Sequence, residues 1–150
     1  MKKIEECLFC DPPPFALKPS PKTSSQISGL SYEKRVAKEL SALYADACDV
    51  RHGQWLRFRR GHRWYYRQPD VLLIPTAPQA PVIVVECKRS HQPSARGKLQ
   101  RTYGPAIKVL TGRKVVLVQV CRILSTQEEG LVSLDSLLSL KPKYYLCHWF

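Results

Sequence analysis

The stretch Pro69–Lys88 constrains this chain most. Two apolar runs, Val71–Ile74 and Val82–Val85, read as strands, and the three prolines of the loop between them, residues 75–81, interrupt any ladder. Pro69-Asp70 opens the first strand. Glu86-Cys87-Lys88 closes the second, with fifteen residues between Asp70 and Glu86. Side chains alternate along a strand, so Glu86 and Lys88 emerge on one face, and Asp70 reaches that face if the strands are neighbours. Two carboxylates and an amine at one point suit a divalent cation beside a phosphate. The plainer reading of the same residues is a surface salt bridge closing two buried strands.

A chain of 150 residues makes one domain with a single core and a short tail. No run of eighteen apolar residues offers a membrane span, and the charged start Met1-Lys2-Lys3-Ile4-Glu5-Glu6 lacks the apolar stretch of a secretory signal. The expectation is a soluble cytoplasmic protein, in the host cytoplasm if viral.

The net charge is +12, and its distribution says more than its size. From Val50 to Gln127 there are fifteen Lys and Arg, and only two acids, Asp70 and Glu86. A tract that excludes carboxylates everywhere except at the candidate site reads as a surface made to meet a polyanion. A merely solubilising face is the alternative. Six arginines interleave with Trp55, Phe58, Trp64, Tyr65 and Tyr66 between Arg51 and Arg67. Some of these rings belong in the core; exposed ones can stack on bases while arginines grip phosphates. The candidate nucleic-acid contacts are Arg57, Arg59, Arg60, Arg63, Arg67, Arg89, Arg96, Lys98 and Arg101.

Six cysteines without a signal sequence argue against a disulfide framework. Cys7 and Cys10 form a CxxC, and Cys147-His148 lies at the other end. Together they supply four ligands for a tetrahedral Zn²⁺ if the termini meet; ordinary free thiols are the leading reading.

Residues 1–28, rich in proline from residue 11, read as an arm or linker carrying the CxxC, and 29–150 as the folded domain. Ser31–Cys48 is the strongest helix, with Ser31 as N-cap and Val36, Leu40, Leu43, Tyr44 and Ala47 as its apolar stripe. Glu33 points along that stripe, where a carboxylate needs a partner or a metal, unless it only favours the helix N-terminus. Gln54–Arg59 and Arg63–Gln68 read as strands around the turn Arg60-Gly61-His62. Gln100, Tyr103, Ile107 and Leu110 share a helical face, interrupted at Gly104-Pro105. Val115–Val120 is a short strand buried on both faces, Ser133–Leu140 a short helix, and Tyr144–Phe150 an aromatic tail or last strand. The segment Leu131–Phe150 either covers this domain's core or supplies a homodimer contact.

With these residues in order, the chain resembles the PD-(D/E)XK nuclease superfamily over most of residues 29–120. Pro69-Asp70 and Glu86-Cys87-Lys88 match its motif pair. Gly29-Leu30-Ser31-Tyr32-Glu33 is similar to the GxxxE helix motif of the RecB-type branch, and Gln100-Arg101-Thr102-Tyr103 to that branch's Q-x3-Y element, one residue shorter. The trailing cysteine cluster of iron–sulfur members is absent, and no such cluster is expected. The resemblance implies an α/β fold with a restriction-endonuclease-like core (αβββαβ), a mixed four-stranded sheet flanked by helices. It implies Mg²⁺ or Mn²⁺ bound by Asp70, Glu86 and the Cys87 carbonyl, with Glu33 as a further ligand, Lys88 acting on water or phosphate, and Gln100 positioning either. The implied reaction is hydrolysis of a DNA phosphodiester. Small basic members of the superfamily include Holliday-junction resolvases and phage-type endonucleases, so a structure-specific endonuclease of DNA repair or recombination is expected. The alternatives are a catalytically silent nucleic-acid-binding module, or the nuclease subunit of a larger repair or restriction complex with the arm as its docking segment. Phosphate contacts alone do not separate RNA from DNA.

Overall fold

The computed structural model describes residues 2–124 and 130–150; Met1 and residues 125–129, which include the end of the acid-poor tract, lie outside them. The middle layer is a five-stranded sheet in the order β2-β5-β6-β7-β8, formed by Cys48–His52, Val71–Pro75, Val82–Ser90, Val115–Ile123 and Tyr144–His148. β2, β5 and β6 run antiparallel; β6, β7 and β8 run parallel. A second, three-stranded antiparallel sheet has the order β1-β3-β4, from Ile4–Cys10, Trp55–Arg60 and Arg63–Arg67. The turn between β3 and β4 is Gly61-His62, with Gly61 at φ 58°. Glycine at the first central position is what a tight II′ hairpin requires.

The central strand β6 is buried from Val82 through Cys87, as its continuous apolar text implies. One face of the middle sheet, with Leu73, Val85, Cys87 and Val118, packs against Tyr32, Val36, Leu40 and Tyr44 of helix α1 (Ser24–Tyr44). The other face, with Leu72, Val84 and Leu117, packs against Ile4, Leu56 and Phe58 of the small sheet. Leu99, Tyr103 and Ile107 complete that second core. They belong to the β6–β7 crossover: α2 (Pro93–Lys98), a π-helical turn (Leu99–Tyr103) and α3 (Gly104–Thr111).

Four expectations need correction. The middle sheet has five strands rather than four, because Cys48–His52 is a strand, not the end of α1. The helix starts at Ser24 with Thr23 as N-cap, not at Ser31: Thr23 and Gln26 exchange side-chain-to-backbone bonds in a capping box. The first two turns leave Ile27 and Leu30 exposed, so no apolar stripe announced them. The boundary drawn after residue 28 therefore falls inside α1, and the arm is part of the domain, since β1 pairs with β3 and buries Ile4 and Cys7.

The segment from Leu131 folds back on its own domain. Leu134 and Leu137, in a 3-10 turn (Leu134–Ser139), and Cys147 of β8 enter the α1 core. The Tyr44 hydroxyl donates to the Leu134 carbonyl at 2.6 Å and accepts from Leu137 N at 3.0 Å. The Tyr32 hydroxyl donates to the Trp149 carbonyl at 2.6 Å. Among the described residues no helix is long and apolar enough to cross a membrane.

Because β1 closes the second core, Ile4→Ala should cost about 2–5 kcal/mol in urea unfolding. Deleting residues 1–10 should destabilise at least as much; a docking arm would be lost without effect on the unfolding midpoint.

Candidate functional site

The β5–β6 ladder ends at the pair Val71–Val85, and Pro69, which has no N–H, cannot extend it. Beyond that pair β6 continues to Ser90 beside β7, while β5 has turned away. Carboxylates take over the bonds that the ladder drops. Glu86 Oε1 accepts from Asp70 N at 3.1 Å, and Asp70 Oδ2 accepts from Cys87 N at 2.7 Å. Glu86 is thus locked to the backbone of Asp70, and Asp70 to that of the residue after Glu86. Cys87, alternating with them, sends its thiol into the α1 core, where burial holds its pKa well above the ordinary range.

Glu33, one turn before Val36 on α1, comes to Asp70 from the helix side. Burial first, then a hydrogen bond to the Asp70 side chain and the charges of Asp70 and Glu86, push the Glu33 carboxyl up to about 9; Lys88 opposes them. That bond between two carboxyls needs a proton between them. Glu86 is 2% exposed, and burial, then the Asp70 charge, raise it to about 7 against the pull of Lys98, the Asp70 backbone and Lys88. His52, the last residue of β2, places Nε2 3.7 Å from Glu33 Oε2. Nothing in the sequence flagged His52, because β2 itself was not read as a strand.

Asp70, Glu33, Cys87 and Lys88 open onto a cleft of about 690 Å³, whose wall includes Lys22, Gln26, Arg89 and Gln92. Buried Gln119 of β7 holds that wall. Its Oε1 accepts from Gln92 N at 3.0 Å, and its Nε2 donates to Gln92 O at 3.2 Å and to the Tyr144 hydroxyl at 2.9 Å. Gln100 is not brought to the cleft; it is exposed on the π-helical turn. A π turn advances fewer degrees per residue than an α turn, so Gln100 and Tyr103 diverge instead of sharing a face. Tyr103 is buried and its hydroxyl approaches the Gln68 carbonyl at 3.4 Å, bracing the approach to Asp70. Lys98, expected only as a phosphate contact, acts on Glu86 and lies 5.4 Å from the Tyr103 ring centre.

The basic residues divide. Arg59 is taken up by Glu5 and Glu6 at 2.7 and 3.0 Å, and Arg60 by the carbonyls of Lys2 and Arg101, both at 2.6 Å. Arg89 lines the acidic cleft; Arg63 and Arg67 line a separate basic one; Arg96 lies over Tyr144, and Arg101 is exposed. The suggested zinc ligands are not brought together. Cys7 lies in the core under the small sheet and Cys147 in the α1 core, so the middle sheet separates them.

Among the described residues no three His, Cys, Asp or Glu side chains converge as a ready-made metal cage. Mg²⁺ does not need one: it takes one or two carboxylates and keeps several waters. Asp70, with Glu33 and Glu86 beside it, offers a set of carboxylate oxygens, and burial first, then their mutual charges, raise Glu33 and Glu86 against the pull of Lys88 and Lys98. That set fits Mg²⁺ or Mn²⁺.

The chain matches no protein-family model and no curated protein. Among solved structures it is similar to protein VC1899 from Vibrio cholerae, at 16% identity and a TM-score of 0.39. The likeness covers 58% of this chain and 22% of that one.

The raised Glu33 carboxyl sets a stability gradient. Its contribution is fully present below the ordinary carboxylate value of 4.5 and is lost as pH rises through about 9. Glu33→Gln should therefore raise the thermal midpoint of metal-free protein at pH 8 and change it little at pH 5, read by melts in EDTA.

Proposed function

We propose that this protein is a Mg²⁺-dependent DNA endonuclease with a PD-(D/E)XK-type, restriction-endonuclease-like core. The observation that carries the reading is the mutual locking of Asp70 and Glu86 where β5 and β6 part, with Glu33 against Asp70 and Lys88 at the same cleft. The element order supports it. α1, antiparallel β2, β5 and β6, the helical crossover and β7 follow the αβββαβ order, with the β3–β4 hairpin inserted.

A bound Mg²⁺ would acidify a coordinated water and take up charge developing on the scissile phosphate. Asp70, held in place by Cys87 N, would ligate the ion, with Glu86, the Cys87 carbonyl and Glu33 as the neighbouring donors. Lys88 orients or deprotonates the attacking water, or holds the phosphate. Lys98 and Lys88 pull Glu86 toward its ionised form, against the burial and the Asp70 charge that leave it raised to about 7. Arg89 and Lys22, on the cleft wall, take flanking phosphates. The favoured substrate is branched or junction DNA, cut in the cytoplasm by a repair or recombination enzyme.

Asp70→Ala and Lys88→Ala should each lower Mg²⁺-dependent cutting by about 100-fold or more. The panel is single strands, duplexes, flaps and four-way junctions, each with Mg²⁺ and with EDTA, and DNA binding should be largely kept. Undiminished cutting by both variants would sink the assignment. A wild type that cuts nothing with Mg²⁺ or Mn²⁺ would replace it with a binding-only protein of nuclease fold.

A further inference from the structure

The small sheet has a second face, on which the described chain lays the turn Pro14–Leu17 and leaves aromatic rings open. β3 turns Leu56 and Phe58 inward, which leaves Trp55, Arg57 and Arg59 on the outside. Across the hairpin, Arg57 stands opposite Tyr66 and Arg59 opposite Trp64; on the other side Leu8 faces Arg57. Trp64 is 37% exposed and Leu8 51%. Phe15, in the 3-10 turn Pro14–Leu17, is 63% exposed and meets Trp55 and Tyr66 edge-on at 6.1 Å each. The result is a ring of aromatics around one arginine.

That arginine is the unspent charge of the face. The Arg57 guanidinium lies 4.3 Å from the Trp64 ring centre and 6.0 Å from that of Tyr66. Its Nε is buried without a hydrogen-bond partner, and it forms no ion pair among the described residues. The nearby acids Glu5 and Glu6 are both engaged by Arg59. Around the edge strand β4, on the inward side of the hairpin beside Phe58 and Tyr65, lies a cleft of about 570 Å³ lined by Lys2, Arg60, His62, Arg63 and Arg67, with no acid in its wall.

We propose that this face is a stacking platform for single-stranded DNA. Bases lie on Trp64 and Phe15, and phosphates run past Arg57 and around β4 into the basic cleft. Open rings select unpaired bases, because a duplex keeps its base faces stacked on one another. A second copy of this chain is the poorer occupant, since a two-fold contact would set Arg57 and the basic rim against themselves. β4 leads through Gln68-Pro69 directly to Asp70, so the hairpin and the acidic cleft are joined by two residues of chain. The choice of DNA rests on the nuclease reading, which the platform narrows to substrates with an unpaired strand.

The test is fluorescence anisotropy of labelled oligo(dT), with oligo(rU) and a duplex of equal length, on full-length protein in EDTA. Oligo(dT) should bind tightest. Phe15→Ala and Trp64→Ala should each weaken it about fivefold or more, while Trp64→Phe, which keeps a stacking ring, stays near wild type. Equal thermal midpoints separate lost stacking from lost folding. Alanine variants that bind oligo(dT) like wild type, tighter binding of duplex or oligo(rU), or a concentration-dependent dimer abolished by Trp64→Ala would overturn the proposal. A protein that binds through Trp64 but cuts nothing keeps the platform and loses the nuclease reading; one that cuts, with Trp64 and Phe15 dispensable for binding, does the reverse.

Discussion

Two strands that separate must do something with the hydrogen bonds they give up, and in this protein two carboxylates do it. Asp70 accepts from Cys87 N, and Glu86 accepts from Asp70 N. Opening a sheet in its buried middle would otherwise strand amides away from water, a cost of about 1–3 kcal/mol each. The same bonds fix the acids in direction. Burial first, and then the charge of Asp70 held beside them, leave Glu33 and Glu86 raised. Structure and reactivity share one device: what satisfies the parted backbone also keeps negative charge concentrated there.

Legibility follows the range of the forces. β5, β6, β7 and the hairpin stood out because apolar runs, prolines and a turn glycine act within a few residues. Val36, Leu40 and Tyr44 announced α1 through their spacing, and Glu33 through its place on that stripe, whereas Leu43, read into the same stripe, is exposed and Ala47 lies beyond the helix end. β2 and β1 did not stand out. Cys48–His52 is a strand because β5 offers it a ladder, and Ile4–Cys10 because β3 lies beside it; neither has an alternation strong enough to declare itself. His52 was lost with β2, and Gln100 was misplaced because a π turn shifts the phase of every residue after it. The motif acids were legible as a pair. The wall around them was not, since Gln119 sat unnoticed inside an apolar run and works through the backbone of Gln92.

The inserted hairpin gives the molecule two unlike sides. Its inner residues, Leu56 and Phe58, are as deeply buried as the central strand, and the basic cleft opens on that inner side beside Phe58 and Tyr65, while its outer residues make the aromatic face. A single alternation along β3 separates core from surface. Charge follows the same division: arginines whose neighbours include acids or carbonyls are spent on structure, as Arg59 and Arg60 are, and the remainder are left for solvent or a polyanion.

The latches between α1 and the last residues carry a consequence for how the protein comes into being. Tyr32 reaches Trp149 across 117 positions of sequence, and Tyr44 reaches Leu134 and Leu137 across 90 and 93. Contacts of such separation form late, after long loops have closed. The helix that presents Glu33 to Asp70 is therefore clamped only when the far end of the chain has emerged and docked. During synthesis the acids exist before their geometry does, and a nascent chain that already carries every motif residue has no finished site to act with.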